Sequence, residues 1–186
     1  MMTEQTDRPV HIVLMGVSGS GKGPLAQELI ARTGFTGATA EQLQPAEVRD
    51  KMADGGFVSP DDRLPWAYAI RDWLTDQARQ GHSTVVVSLG LGRRARDIFR
   101  EAEGFVFFVH VHGTEDVIED RVRRLTGHYP DAEVLRHQYA ELDRLRADEA
   151  GVRLDAAQPT DVLADAALVA LGVARRAAET DDDADD

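Results

Sequence analysis

The sequence predicts an α/β fold in which a five-stranded parallel sheet is covered by helices on both faces. Short apolar runs alternate with longer amphipathic stretches, as the strands and crossover helices of a parallel sheet do along a chain. The apolar runs are continuous, which is typical of strands that are buried on both sides. A glycine-rich segment also joins the first apolar run to the first amphipathic stretch.

The first strand is predicted at 10–15 and the first helix at 25–33, where apolar residues recur at helical spacing before Gly34. The later elements follow the same two patterns. Further helices are predicted at 61–80, 93–101, 114–125, 131–146 and 160–178, and further strands at 83–89, 105–111 and 152–154. The break at 127–130 between two charged helices is too polar for a core element, so we expect a mobile lid at about 121–138.

Length and charge indicate one domain, at 1–178, followed by an acidic tail. Residues 179–186 contain one Glu and five Asp, and without them the formal net charge of −12 falls to about −6. This composition predicts a disordered segment. It would be either a solubilising end or an interaction tail.

Composition also excludes several classes of function. The chain has no cysteine, so it has neither a disulfide framework nor a thiolate zinc site. The acidic balance argues against nucleic acid as a partner. No apolar run approaches the roughly 18 residues of a membrane span, and the polar start, 1–9, lacks the features of a signal peptide. We expect a cytoplasmic protein without a membrane partner.

The glycine-rich segment at 16–23 reads Gly-Val-Ser-Gly-Ser-Gly-Lys-Gly, between a buried strand and a helix. Backbone N–H groups and the helix N-terminus then surround one concavity that suits a polyphosphate, and the lysine reaches its terminal phosphates. The segment predicts ATP binding. The residues expected to contact the nucleotide are Gly16, Ser18, Gly19, Ser20, Gly21, Lys22 and Gly23.

Gly23 stands where the motif usually has the Ser or Thr that ligates Mg²⁺. The Gly-Lys-Gly string is similar to that of the adenylate kinases, which work with glycine there. We therefore expect Mg²⁺ as a second cofactor, held through waters and phosphate oxygens, and no metal site made by protein side chains. His110 and His112 share one face of a strand, but no third ligand accompanies them.

Beyond this loop, roughly residues 10–175 resemble the gluconokinase family, relatives of shikimate and adenylate kinases. The Asp-Arg-x-Pro-Trp string that begins at Asp62 is the most specific match. The other matches are the string from Met15 to Lys22, Lys51-Met52 with Gly55, Arg93 with Arg96-Asp97, Gly127-His128-Tyr129, and Gln138-Tyr139 with Leu142.

The resemblance implies a P-loop kinase fold with a helical lid and a substrate-binding helical insertion near 42–80. It also implies transfer of the γ-phosphate of ATP to D-gluconate or a related sugar acid, and a possible homodimer. Lys22 would hold the phosphates and Glu41 would orient or deprotonate the attacking hydroxyl. The residues expected to bind the acceptor are Glu41, Arg63, Arg93, His128 and Gln138.

The lid arginines Arg121, Arg123 and Arg124 would stabilise the transferring phosphoryl group. The family's second lid arginine aligns with Leu125, and Arg124 is the candidate to replace it. Other departures are Ala40-Glu41 for the family's Gly-Asp and Gly92 at the family's lysine. Two alternatives stay open: a nucleotide-binding regulatory protein without turnover, and a kinase with another acceptor, such as a nucleoside monophosphate. Trp66 is interpreted as core packing.

Overall fold

The computed structural model describes residues 8–54, 59–88, 90, 92–127 and 131–182. Its strands are β1 (Val10–Met15), β2 (Thr36–Thr39), β3 (Thr84–Val87), β4 (Phe105–His112) and β5 (Gly151–Asp155). Its helices are α1 (Lys22–Thr33), α2 (Ala46–Ala53), α3 (Leu64–Arg79), α4 (Arg93–Arg100), α5 (Glu115–Thr126), α6 (Ala132–Glu141) and α7 (Thr160–Asp182). Two short 3₁₀ turns, Ala40–Leu43 and Asp61–Arg63, precede α2 and α3.

The five strands form one parallel sheet in the order β2-β3-β1-β4-β5. This confirms the predicted sheet. Because β3 and β4 lie on opposite sides of β1, the crossover connections diverge there and leave a crevice at the carboxyl end of β1. The glycine-rich loop follows β1 directly and occupies this crevice.

Apolar layers cover both faces of the sheet. All six residues of β1 are buried, and successive side chains point to opposite faces. Ile12 and Leu14 pack in a layer that α1 and α7 help to form. Val13 and Met15 belong to the opposite layer, with side chains of α3 and α4. Burial on both faces explains why the central strands β1, β3 and β4 are largely apolar, whereas the edge strands β2 and β5 carry more exposed residues.

Two helix ends differ from the predicted ones by four residues or more. The helix predicted at 131–146 ends at Glu141, and Leu142 is already extended. The run of charged residues favoured a longer helix, but contacts between α4 and the chain after Leu142 decide the boundary. The backbone N–H of Arg93 donates to Asp143, and the side chain of Arg96 donates to the carbonyl of Arg144.

At the other end, α7 continues to Asp182, four residues into the segment predicted to be disordered. Residues 183–186 lie outside the described part of the chain. Among the described helices, none combines the length and the apolar character that crossing a membrane would require.

Candidate active site

The loop between β1 and α1 needs its glycines for steric reasons. Gly16, Gly19 and Gly21 have φ angles of 142°, 81° and 101°, which side chains other than hydrogen rarely allow. A Cβ atom on Gly16 would also lie 2.5 Å from the carbonyl oxygen of Val111, and one on Gly19 would overlap Val122. The motif is therefore a conformational requirement of this crevice.

Lys22 is the first residue of α1, and its ammonium lies inside the loop. Its Nζ donates hydrogen bonds to the carbonyl oxygens of Gly16 and Val17, both at 2.8 Å. Burial lowers the pKa of Lys22 to about 8, while the negative charge of Glu41 acts in the opposite direction. The loop holds a buried cation that a polyphosphate would neutralise.

The loop fits a polyphosphate, and Gly23 leaves it without the hydroxyl that usually ligates Mg²⁺. The hydroxyl of Ser20 is buried and has no partner among the described residues. Gly23 contributes no oxygen, and a Cβ there would meet no atom within 4 Å. In the described ranges, no three His, Asp or Glu side chains are grouped as metal ligands.

Of the three lid arginines, the structure brings Arg121 to the loop. Its guanidinium lies over Gly21, where Nη2 would be 2.5 Å from an added Cβ, and its Nη1 donates to the carbonyl of Ala156 at 2.8 Å. Arg124 is exposed and pairs with Asp120 at 2.7 Å. Arg121 lies between Ile118 and Val122, which contact the loop, and this apolar spacing is the sequence signal that distinguishes it.

Gln138 lies on the glycine-rich loop. Its Oε1 accepts from the backbone N–H of Ser18 at 2.7 Å, and its Nε2 donates to the Ser18 hydroxyl at 3.0 Å. The side chain is buried. Sequence comparison with the gluconokinases assigned Gln138 to the acceptor, whereas the structure places it against the nucleotide loop.

A pocket of about 340 Å³ lies beside the loop at the carboxyl end of β3. Its inner wall is apolar and includes Leu64, Trp66, Ile70 and Phe99. Its rim is charged and consists of Glu41, Arg63, Arg93, Arg94, Glu141 and Asp143. An apolar floor with a few converging polar groups is typical of small-molecule sites.

Glu41 stands in the 3₁₀ turn between the nucleotide loop and this pocket. Thr39 and Gln42 form a capping box that starts the turn: the N–H of Thr39 donates to Oε1 of Gln42 at 2.8 Å. Trp66 donates from Nε1 to the carbonyl of Ala40 at 2.6 Å, which ties the turn to α3. Trp66 is partly buried against the apolar layer and also lines the pocket, so it both packs on the core and faces the site, and it holds the turn that carries Glu41.

Arg63 reaches the pocket with its terminal nitrogens already paired. Nη1 and Nη2 donate to the two oxygens of Glu141 at 3.1 and 2.6 Å. Its neighbour Asp62 instead accepts from Ser59 and pairs with Lys51, and the hydrogen bond from Lys51 holds the pKa of that carboxyl well below its usual range. Of the Asp-Arg pair, only the arginine faces the pocket.

Arg93 also lines the pocket and is surrounded by carboxylates. It pairs with Asp97 at 2.7 Å, Asp148 at 2.6 Å and Glu149 at 3.5 Å. The hydrogen bonds that it donates to Asp148 and Asp97, the former having the larger effect, and the charge of Glu149 raise its pKa. The acidic partners after α6 were missed in the sequence because a helix was predicted over part of that segment. His128 lies outside the described residues.

Comparisons with known proteins agree with this geometry. No protein-family model matches the chain. A gluconokinase of Gluconobacter oxydans is 32% identical over 161 residues, which cover 87% of this chain and 90% of the relative. The thermoresistant gluconokinase of Escherichia coli is 33% identical over 162 residues, covering 87% and 92%.

Solved structures give the same result. A gluconokinase from Sinorhizobium meliloti superimposes with a TM-score of 0.81 at 34% identity, covering 92% of this chain and 97% of that one. A shikimate kinase from Aquifex aeolicus, at a TM-score of 0.60 and 15% identity over 87% of this chain and 96% of that one, shares the fold. The loop, the pocket and these relatives together show that the chain belongs to the gluconokinase family.

Proposed function

We propose that this protein is an ATP-dependent gluconokinase that phosphorylates D-gluconate or a closely related sugar acid. The observation that carries the proposal is the position of Glu41, whose turn lies between the buried ammonium of Lys22 and a pocket with a charged rim. A phosphate donor and a hydroxyl acceptor would meet there. The relatives named gluconokinase supply the identity of the acceptor.

The nucleotide half of the reaction is assigned to the loop. The N–H groups of the loop and Lys22 would bind the β- and γ-phosphates, and Arg121 would neutralise charge from the α5 side. Mg²⁺ bound to the phosphates would supply further charge neutralisation. The contribution of Arg124 stays a prediction, because in the structure this side chain is exposed and paired with Asp120.

The acceptor half is assigned to the pocket. Glu41 would accept the proton of the acceptor hydroxyl while the hydroxyl oxygen forms a bond to the γ-phosphorus. The bond between the γ-phosphorus and the oxygen that bridges it to the β-phosphate would break, and ADP would leave. Arg63 is the candidate for the substrate carboxylate because guanidinium and carboxylate pair through two parallel hydrogen bonds. Arg93 has a weaker claim, since three carboxylates already surround it.

The direct test is ADP release with gluconate, shikimate and a nucleoside monophosphate as acceptors, each at saturating Mg²⁺-ATP. We expect release with gluconate. Lys22→Ala should abolish the rise in melting temperature that ATP causes, whereas Glu41→Gln should preserve that rise and lower kcat by at least about a hundredfold. ATP binding without ADP release from any acceptor would favour a regulatory protein. The predicted homodimer can be checked by light scattering.

A further inference from the structure

Two residues of α6 connect the helix to the rest of the site, one to the nucleotide loop and the other to the acceptor pocket. Gln138 binds Ser18 of the nucleotide loop through two hydrogen bonds, and Glu141 binds Arg63 of the acceptor pocket through two more. The two residues are three positions apart and therefore neighbours on one helix face. A groove of about 370 Å³ runs along this face and is lined by Gln138, Glu141 and Arg63.

Both contacts occupy groups that the substrates need. The N–H of Ser18 is one of the loop donors that would face a phosphate, and Gln138 accepts its hydrogen bond. The terminal nitrogens of Arg63 are the donors that would bind a carboxylate, and Glu141 accepts from both. In this structure α6 therefore competes with the nucleotide at one residue and with the acceptor at another.

The two competitions differ in strength. A phosphate oxygen is a charged acceptor and outcompetes the neutral amide oxygen of Gln138 for the N–H of Ser18. A substrate carboxylate, in contrast, would replace the carboxylate of Glu141 by another of the same kind, which gains little free energy by itself. Nucleotide binding should therefore displace α6 more readily than acceptor binding does.

The attachment of α6 allows such a movement. Leu135 and Gln138 are the buried residues of the helix, and Tyr139 is partly buried against the same apolar layer. Tyr139 adds a hydrogen bond to the carbonyl of Gly113 at 2.8 Å. A helix with two apolar contacts, only one of them fully buried, can shift at modest cost because little apolar area leaves the core.

We infer that Gln138 is a positioning residue that couples the two substrate sites: nucleotide at Ser18 displaces the Gln138 amide, and α6 then carries Glu141 away from Arg63. Arg63 becomes available to the acceptor carboxylate when ATP is bound. The acceptor half of this coupling rests on the proposed function. The displacement of Gln138 by nucleotide does not depend on which acceptor the protein uses. By linkage, the acceptor tightens nucleotide binding by the same factor.

The test measures binding by calorimetry, using gluconate and a nonhydrolysable ATP analogue with Mg²⁺. In the parent chain the analogue should tighten gluconate binding about fivefold or more. Glu141→Gln weakens the competitor of the substrate, so gluconate should bind more tightly without nucleotide and the coupling should shrink. An unchanged gluconate affinity with and without the analogue would overturn the coupling.

Two substitutions at Gln138 should act in opposite directions on the nucleotide alone. Gln138→Ala removes the competitor for Ser18, so the analogue should bind roughly two- to tenfold more tightly. Gln138→Glu keeps the size and the acceptor but adds a negative charge beside the phosphates, so binding should weaken. A purely structural role would weaken binding in both variants, and that result would refute the inference.

Arg136→Ala is the matched control, because the side chain of this exposed α6 residue donates to the carbonyl of Ala132 in its own helix. It should leave both affinities unchanged. Melting temperatures without ligand verify that every variant folds. If the opposite effects at Gln138 appear but the parent neither binds nor phosphorylates gluconate, the proposed acceptor fails while the role of Gln138 at the loop stands.

Discussion

Arg96 and Glu149 form an ion pair in which neither side chain is exposed to solvent. Nε of Arg96 donates to Oε1 at 2.7 Å and Nη2 donates to Oε2 at 3.1 Å. Nη1 of Arg96 also donates to the carbonyl of Gly90 at 3.0 Å. The pair thus fastens the turn after β3, which borders the acceptor pocket, to the segment that leads into β5.

Breaking this pair on one side should destabilise the fold strongly. Burial raises the pKa of Glu149, but the hydrogen bonds and charge of Arg96 lower it. The net result is a pKa below the usual value, so the carboxyl is ionised. Arg96→Met would leave that charge buried without its main partner and should cost about 3–5 kcal/mol in urea unfolding. The double variant with Glu149→Leu should recover part of the loss. As a control, Arg79→Ala at the exposed pair with Glu103 should cost far less, because solvent screens that pair.

A loss below about 1 kcal/mol for Arg96→Met would show that the buried pair contributes little to the fold. A double variant less stable than either single variant would contradict the explanation by an unpaired buried charge.

His110 should make the fold sensitive to mild acid. It is buried in β4, and desolvation lowers its pKa to about 4, together with the charges of His112, Arg153, Arg96 and Lys22. An unfolded histidine binds a proton near pH 6.5. Unfolding therefore takes up a proton between about pH 6.5 and 4, so this contribution is complete above that range and is lost as the pH falls.

Between pH 7.5 and 5 the contribution of His110 should fall by about 2 kcal/mol. His110→Met removes the titrating group, so its free energy of unfolding should decline less than that of the parent over this interval. His82→Gln, at an exposed histidine, should decline as the parent does. Parallel curves for parent and His110→Met would contradict the prediction.

Gly23→Thr should lower the free Mg²⁺ needed for half-maximal ADP release. The position lies in the first turn of α1 and a Cβ there meets nothing within 4 Å, so the side chain fits and its hydroxyl can reach the ion. We expect a change of roughly threefold to tenfold. Gly23→Ala fills the same space without a hydroxyl and should leave the Mg²⁺ requirement unchanged. An equal effect of both variants would indicate a backbone effect instead of a metal ligand.

Gly92→Lys should lower the KM for gluconate, because it adds a cation to a pocket whose arginines are already paired. Gly92 lines the pocket and a Cβ there also meets nothing within 4 Å. A charged hydrogen bond at this partly solvated rim should lower the KM roughly threefold to tenfold. Gly92→Met matches the length without the charge, and its KM should stay near that of the parent. A higher KM with the lysine would show that the acceptor is not held there as an anion.

Local patterns were sufficient for much of this protein. The alternation of apolar runs and amphipathic stretches predicted the parallel sheet, because a strand that is covered on both faces has few positions for polar residues. The nucleotide loop was also predictable, since its glycines are required by the turn itself and Lys22 follows at a fixed distance. Both features depend on residues that are close together in the chain.

Contacts between distant segments decided the remainder. Arg121 and not Arg124 reaches the loop, Gln138 binds Ser18 across 120 positions of sequence, and α6 ends at Glu141 because the following segment binds α4. The resemblance to gluconokinases named Arg63 and Arg93 as acceptor ligands, but their partners Glu141, Asp148 and Glu149 come from α6 and the segment after it. Composition and spacing could determine the kind of site, whereas the charge available inside it depends on which side chains meet in the folded chain.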